Sequence, residues 1–141
     1  MHSHTLANDN RAATLDAIAS ARWVVACLCA AWCGTCTSYR ATFDTLAARH
    51  PDLHFVWIDI EDQADVVGDL DIDNFPTLLI QRHEVVAFFG TVLPDLALAE
   101  RLIGAQTGQD DAELQSGAHT TVERRTWQDQ CNLRTLLAGA R

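Results

Sequence analysis

Lysine is absent from this 141-residue chain, and all ten basic residues are arginine. Lysine-based catalysis is therefore excluded. Positive charge is scarce altogether: ten basic residues stand against 19 Asp and Glu, a formal net charge of −9. That balance argues against nucleic acid as a ligand and disfavours anionic membrane surfaces. Long hydrophobic runs are missing too, since no apolar stretch reaches the length of a membrane span. Met1 to Arg11 is polar and carries no apolar h-region of a signal peptide. Val24-Val25-Ala26-Cys27 loosely resembles a lipoprotein cleavage site, but the residues before it are too polar to support one. A cytoplasmic, reducing setting is the expectation, with the five cysteines as thiols for chemistry or packing rather than a disulfide framework. Proline occurs three times. Pro51 stops a helix, Pro76 opens a strand and Pro94 starts a helix.

What is present is a 48% hydrophobic composition, enough for a core, in a length that suits one domain with an appendage. The pattern divides into a flexible N-terminus (1–10), a folded domain (11–105) and a linker with a C-terminal helix (106–141). In the tail, His2 and His4 are read as frayed rather than metal-binding. Leu15 and Ile18 have helical spacing within 12–21, with Asn10 as a possible N-cap. Trp23 to Cys29 is apolar on both faces, the mark of a central strand covered by helices. Tyr39, Phe43, Leu46 and Ala47 share one face of a helix over 33–49. A second central strand follows over 53–60 and a short helix over 62–70. Thr77–Gln81 and Val85–Phe89 form a hairpin around Arg82-His83. A helix runs from Pro94 to about Ile103, ended by Gly104. Residues 106–119 read as a polar linker. Residues 121–137 read as one helix that docks on its own domain, the alternative being a partner-binding arm.

The chemistry centres on Trp32-Cys33-Gly34-Thr35-Cys36. This Cys-x-x-Cys lies where a buried strand ends and a helix begins. The first turn of a helix offers unpaired N–H groups and partial positive charge, which favour a thiolate on Cys33. Cys36, one turn on, is near enough to close a disulfide onto Cys33, so the pair reads as a redox switch. Half a zinc site would look the same, but no second ligand pair has suitable spacing. About forty residues later, Phe75-Pro76-Thr77 opens an apolar run, where a cis peptide is plausible.

Together these two signals resemble the thioredoxin family over residues 11–105. The resemblance implies an α/β thioredoxin fold: a central mixed β-sheet with helices on both faces, plus a C-terminal extension. The family's first strand is either missing or formed by His4 to Ala7. It also implies a thiol–disulfide oxidoreductase that acts on protein disulfides and needs no cofactor. Cys33 is then the exposed nucleophile and Cys36 the shielded resolving thiol. Trp32, Gly34, Thr35, Phe75 and Pro76 form the substrate surface. The electron donor is a thioredoxin-reductase-like enzyme or glutathione. The competing reading is a client-binding module with regulatory cysteines.

Two positions depart from the family. Cys27 and Trp57 stand where a buried acid and a lysine are expected, so no charged pair serves Cys36; Asp59 and Glu61 are the nearest carboxylates in sequence. Cys29 stands where an aromatic is usual. Cys27 and Cys29 share a strand face. The default reading makes both small buried hydrophobes, and the sharper one makes them auxiliary thiols that relay oxidation. A Cys27–Cys29 disulfide is disfavoured by strand spacing. An iron–sulfur or zinc site on Cys27, Cys29, Cys33 and Cys36 is the weakest reading. Cys131 reads as a packing residue or an exposed thiol.

Overall fold

A computed structural model describes residues 3–20 and 22–139. The expectations for His2 and for the helix end at Ala21 fall outside the described residues. The chain runs β1 (His4–Thr5), α1 (Arg11–Ala19), β2 (Trp23–Cys29), α2 (Gly34–Arg49), β3 (His54–Asp59), α3 (Ala64–Val67), β4 (Thr77–Arg82) and β5 (Val85–Thr91). Four helices follow: α4 (Leu96–Thr107), α5 (Asp111–Gly117), α6 (Val122–Gln130) and α7 (Leu133–Gly139).

The five strands form a sheet in the order β1-β3-β2-β4-β5. β1 and β2 flank β3 in parallel, while β4 runs antiparallel to β2 and β5. Every residue of β2 is buried, because helices cover both faces of the sheet. Alternation along β2 splits its side chains. Trp23, Val25, Cys27 and Cys29 pack under α2 and α4. Val24, Ala26 and Leu28 pack on the other face with Ile18 of α1, Val66 and Val67 around α3, and Leu133 and Leu137 of α7. The result is the mixed sheet with helices on both faces that the sequence pattern implies.

The ends of the chain differ from the sequence reading. Residues 1–10 read as loose, with His4 to Ala7 as the alternative place for the first strand; the structure takes the alternative, His4 and Thr5 pairing with Val56 and Trp57 and Leu6 N–H donating to the Trp57 carbonyl at 2.8 Å. Asn10 does not cap α1 with its side chain; it accepts from Ala7 N–H and donates to the Thr5 carbonyl, closing the turn after β1. Gly104 does not end α4, which continues to Thr107. Glycine costs a helix only about 1 kcal/mol, and the flanking residues carry it through. The cap at the other end is Asp95, which accepts from Leu98 N–H.

The stretch 106–119 is not a linker. It finishes α4 and forms α5, opened by a capping box in which Asp110 and Glu113 serve each other's backbone. The expected helix over 121–137 is two, split at Cys131-Asn132. The Asn132 side-chain oxygen Oδ1 accepts from Arg134 N–H and from the Gln81 amide, so it starts a new helix instead of continuing the old one. The extension wraps its own domain. Leu114 of α5 joins the α2 face, α7 joins the α1 face, and α6 lies along β5. There the Gln128 amide accepts from Val86 N–H and donates to Val86 C=O, at 2.9 and 2.8 Å. A side chain thus satisfies the exposed edge of the sheet, where a free strand would invite pairing with another chain.

Candidate active site

The end of β2 delivers the chain into α2 through Ala30, Ala31 and Trp32. Cys33 N–H donates to the Ala30 carbonyl at 3.0 Å, which tightens that turn. Cys33 is the N-cap of the 16-residue α2, in extended backbone conformation, with no side-chain capping bond. Its sulfur therefore stands at the positive end of the helix dipole, where no acidic side chain occupies the first turn. The Cys33 carbonyl accepts from Thr37 N–H and Thr37 Oγ1. Cys33 is half-buried with a free thiol. Gly34 and Thr35 are exposed, and a Cβ at Gly34 would meet no other atom of the protein. The space above the motif is open to a second molecule.

Trp32 is 69% exposed, an uncommon position for a large apolar ring, and it stands edge-on to Phe75 with centroids 5.7 Å apart. Phe75 precedes the buried Pro76 through a cis peptide bond. The Asn74 side chain accepts from Phe75 N–H, and the Asn74 backbone carbonyl accepts from the hydroxyls of Thr77 and Thr91. Pro76 C=O accepts from Val92 N–H. Leu28 pairs with Thr77, so one step further along the sheet Cys29 and Pro76 end adjacent strands. Phe75 continues into an open groove of about 490 Å³ lined by Ile60, Val67, Leu70 and Ile72 among others.

The sulfur pairing differs from the one read off the motif. Cys36 is buried and joined to Cys29, with Cα atoms 5.7 Å apart, while Cys33 is unbonded. The sequence reading has Cys36 closing onto Cys33 and Cys29 as a small buried hydrophobe by default. The fold supplies the reason for the difference. The last residue of β2 lies directly beneath the first turn of α2, so Cys29 faces Cys36 across the seven-residue separation. Cys27 stays a thiol, its Sγ 3.9 Å from that of Cys29. Because Cys29 carries no proton in the disulfide, Cys27 is the donor. Burial pushes the Cys27 thiol far up, only weakly opposed by the Arg40 charge.

Where the family would place an acid and a lysine, Cys27 pairs in register with Trp57. Arg40 of α2 lies over the Trp57 ring at 5.0 Å, so cationic charge reaches this part of the site from the helix instead of the strand. Asp59 lies on the same strand face as Trp57, but its carboxylate accepts from Glu61 and Asp62 N–H and serves the turn after β3. Tyr39, read in the sequence as a core position of α2, carries a buried hydroxyl with no partner among the described residues. Burial and the neighbouring Cys27 both raise its phenol. Its period within α2 announced burial, not the orphaned hydroxyl. Cys131 is buried in the opposite core, and burial pushes it to about 11. Among the described residues no three Cys, His, Asp or Glu converge on a metal position, and two sulfurs of the four-cysteine reading are bonded to each other.

The family model for thioredoxin matches residues 3–99. The chain belongs to the thioredoxin family. A putative thioredoxin 2 from Streptomyces coelicolor is 35% identical over 72 residues, half of this chain and 54% of that protein. An H-type thioredoxin from Picea mariana is 26% identical over 112 residues, 77% of this chain and 78% of that protein. The chain spans about half the length of the first of these curated relatives. The crystal structure of a poplar thioredoxin h superposes with a TM-score of 0.68 at 21% identity, over 78% of this chain and all of that one. Members of the thioredoxin family are disulfide oxidoreductases, and this chain presents their fold with helices added beyond it. Thioredoxin architecture also explains the placement of the motif: the half-exposed sulfur and the shielded one belong to the same helix turn, on the side where Trp32 and Phe75 make an apolar rim.

Proposed function

We propose that this protein reduces or exchanges disulfides of other proteins, with Cys33 as the attacking sulfur and Cys36 as the resolving one. The observation that supports the reading is the pairing of opposites within one helix turn. Cys33 is a free, half-buried thiol at a helix N-terminus, and Cys36 is 2% exposed behind it. An exposed thiolate attacks a substrate disulfide, binds one half as a mixed disulfide and releases the other as a thiolate. Cys36 then attacks the Cys33 sulfur, so the bound half leaves and the protein is oxidised by two electrons. Trp32 and Phe75 offer an apolar platform to the substrate chain, and the loop held by Asn74 positions the backbone around Pro76. A reducing, cytoplasmic setting and a reductase or low-molecular-weight thiol as electron donor fit this cycle.

Two substitutions test it. Cys33→Ser brings insulin disulfide reduction to background. Cys36→Ser lets Cys33 capture substrate but not release it, so mixed disulfides accumulate on non-reducing gels. Reduction that survives Cys33→Ser would remove the assignment.

A further inference from the structure

The bond between Cys29 and Cys36 leaves the nucleophile of the proposed cycle free while its resolving partner is oxidised. We propose that Cys29 is a second, internal resolving thiol: it takes Cys36 from Cys33 and stores the disulfide inside the domain, returning Cys33 to its free form. The inference rests on the oxidoreductase reading above and adds a step to it.

The step balances without an outside reagent. Oxidation first creates a Cys33–Cys36 disulfide. The Cys29 thiol gives up its proton and attacks Cys36 Sγ; the Cys29–Cys36 bond forms, the Cys33–Cys36 bond breaks, and the proton ends on the Cys33 sulfur. No electron enters or leaves, so the exchange is an isomerisation of one oxidised state.

Its direction follows from where each isomer leaves the odd sulfur. A Cys33–Cys36 bond leaves Cys29 unpaired, 1% exposed among apolar side chains. A Cys29–Cys36 bond leaves Cys33 unpaired, half-exposed at a helix N-terminus. A sulfur that must carry negative charge in the transition state is better accommodated at the second place, which solvent reaches, than buried among apolar side chains. The better leaving group in thiol–disulfide exchange is the thiol that holds its charge more easily. Cys27 assists at the buried end, as its S–H is the neighbour within reach of the Cys29 sulfur. Position matters as well. Cys29 ends β2 under the first turn of α2, so Cys36 sits directly above Cys29 and three positions along the helix from Cys33, and one sulfur serves two partners.

The functional consequence is a shielded oxidised state. Both bonded residues are buried, so a reductant cannot reach this disulfide directly. Electrons return only when Cys33 attacks Cys36 and brings the bond back to the surface. In the stored state Cys33 remains able to form a mixed disulfide that Cys36 cannot resolve, which converts a two-thiol reductase into a one-thiol one.

Sequential labelling tests the proposal. The intact protein is oxidised with diamide, quenched in acid, then denatured in guanidinium with N-ethylmaleimide. It is next reduced and treated with iodoacetamide, and the Trp23–Arg40 tryptic peptide is read by tandem mass spectrometry. The expected result is maleimide on Cys27 and Cys33 and carbamidomethyl on Cys29 and Cys36. Maleimide on Cys29 with carbamidomethyl on Cys33 and Cys36 would overturn the relay while leaving the oxidoreductase reading intact. Cys29→Ala supplies the second arm, since it creates no new buried hydroxyl. In that variant the oxidised pair moves to Cys33–Cys36, and maleimide labelling of Cys33 falls from complete to absent. Cys33 labelling that stays complete in oxidised Cys29→Ala would also overturn it. Failure of the underlying cycle shows separately, as disulfide reduction retained by Cys33→Ser.

Discussion

Tyr39 carries the least comfortable atom of the site, a buried hydroxyl with no hydrogen-bond partner among the described residues. A buried donor left unmade costs about 1–3 kcal/mol. Tyr39→Phe keeps the ring in the core and removes that cost, so the folded state gains on the order of 1 kcal/mol. Urea unfolding of the reduced protein measures it. A midpoint that stays put or falls would mean that the hydroxyl finds a partner in solution, with the nearby Cys27 sulfur the obvious one. The cysteines make the same point about single residues. Cys33, Cys36, Cys29 and Cys27 lie within ten positions of each other, yet Cys33 is the one of the four that reaches solvent, Cys29 and Cys36 are bonded to each other, and Cys27 is a buried thiol. Their behaviour follows from the solvent and dipole each one meets, not from residue type.

At the scale of elements, α7 is held to the hairpin by a buried polar triangle. The Gln81 amide donates to Asn132 Oδ1 at 2.9 Å and accepts from Leu133 N–H at 2.8 Å, while Asn132 Nδ2 donates to the Glu84 carbonyl. Gln81 is fully buried, so its amide has no access to water as a substitute partner. Asn132→Ala leaves one N–H of that amide unpaired, the other still donating to the His83 carbonyl, and also removes the cap of α7. The expected loss is about 1–3 kcal/mol from the unpaired N–H, with about 1 kcal/mol more from the cap. Chemical denaturation gives the total, and hydrogen exchange locates it in 133–139 and the β4–β5 turn. A variant as stable as the parent, with unchanged exchange there, would show that α7 is held by its leucines alone. The turn itself shows the same dominance of tertiary contacts. His83 adopts a positive φ of 53°, a region in which glycine or asparagine is usual. Its ring approaches the Ile18 carbonyl at 3.3 Å, so α1 packs against this unusual turn.

For the molecule as a whole, acid is the weakness that the charge arrangement builds in. His4 and His54 meet edge-on at 4.7 Å where β1 joins β3. Burial, then the charges of His4 and Arg22, lower His54 from 6.5 to about 4. Burial, then Arg40, lowers His4. Both rings are neutral in the folded protein near neutrality, whereas the unfolded chain takes up their protons near pH 6.5. Stability is therefore complete above pH 6.5 and falls as the pH drops toward about 4. Glu100 is lowered by its hydrogen bond to His50 and by Arg49. Its contribution is present above the ordinary carboxylate range and is lost as pH falls through its depressed value. Urea midpoints followed from neutrality to below the ordinary carboxylate range should decline in two overlapping stages. His54→Gln should flatten the upper stage and spare the lower one. A wild-type midpoint that is level between 6.5 and about 4 would contradict the folded-state neutrality of these rings.

The sequence by itself determined the order of strands and helices through the domain, the buried character of β2, the junction that carries Cys33, and the loop of Pro76. Local periodicity and the choice of residue at a chain junction suffice for these, because each is settled within a few neighbouring positions. Only the tertiary structure decided the rest. His4 and Thr5 are too short a run to announce a strand by periodicity; the family resemblance left that strand missing or at His4 to Ala7, and the edge of β3 decided it. The polar stretch after residue 106 reads as linker because its apolar positions are sparse, yet Leu114, Leu133 and Leu137 are enough when two prepared faces of a sheet await them. The partner of Cys36 was decided there too. Spacing along the chain favours Cys33, but a bond depends on separation in space, and the sheet carries Cys29 to within 5.7 Å, Cα to Cα.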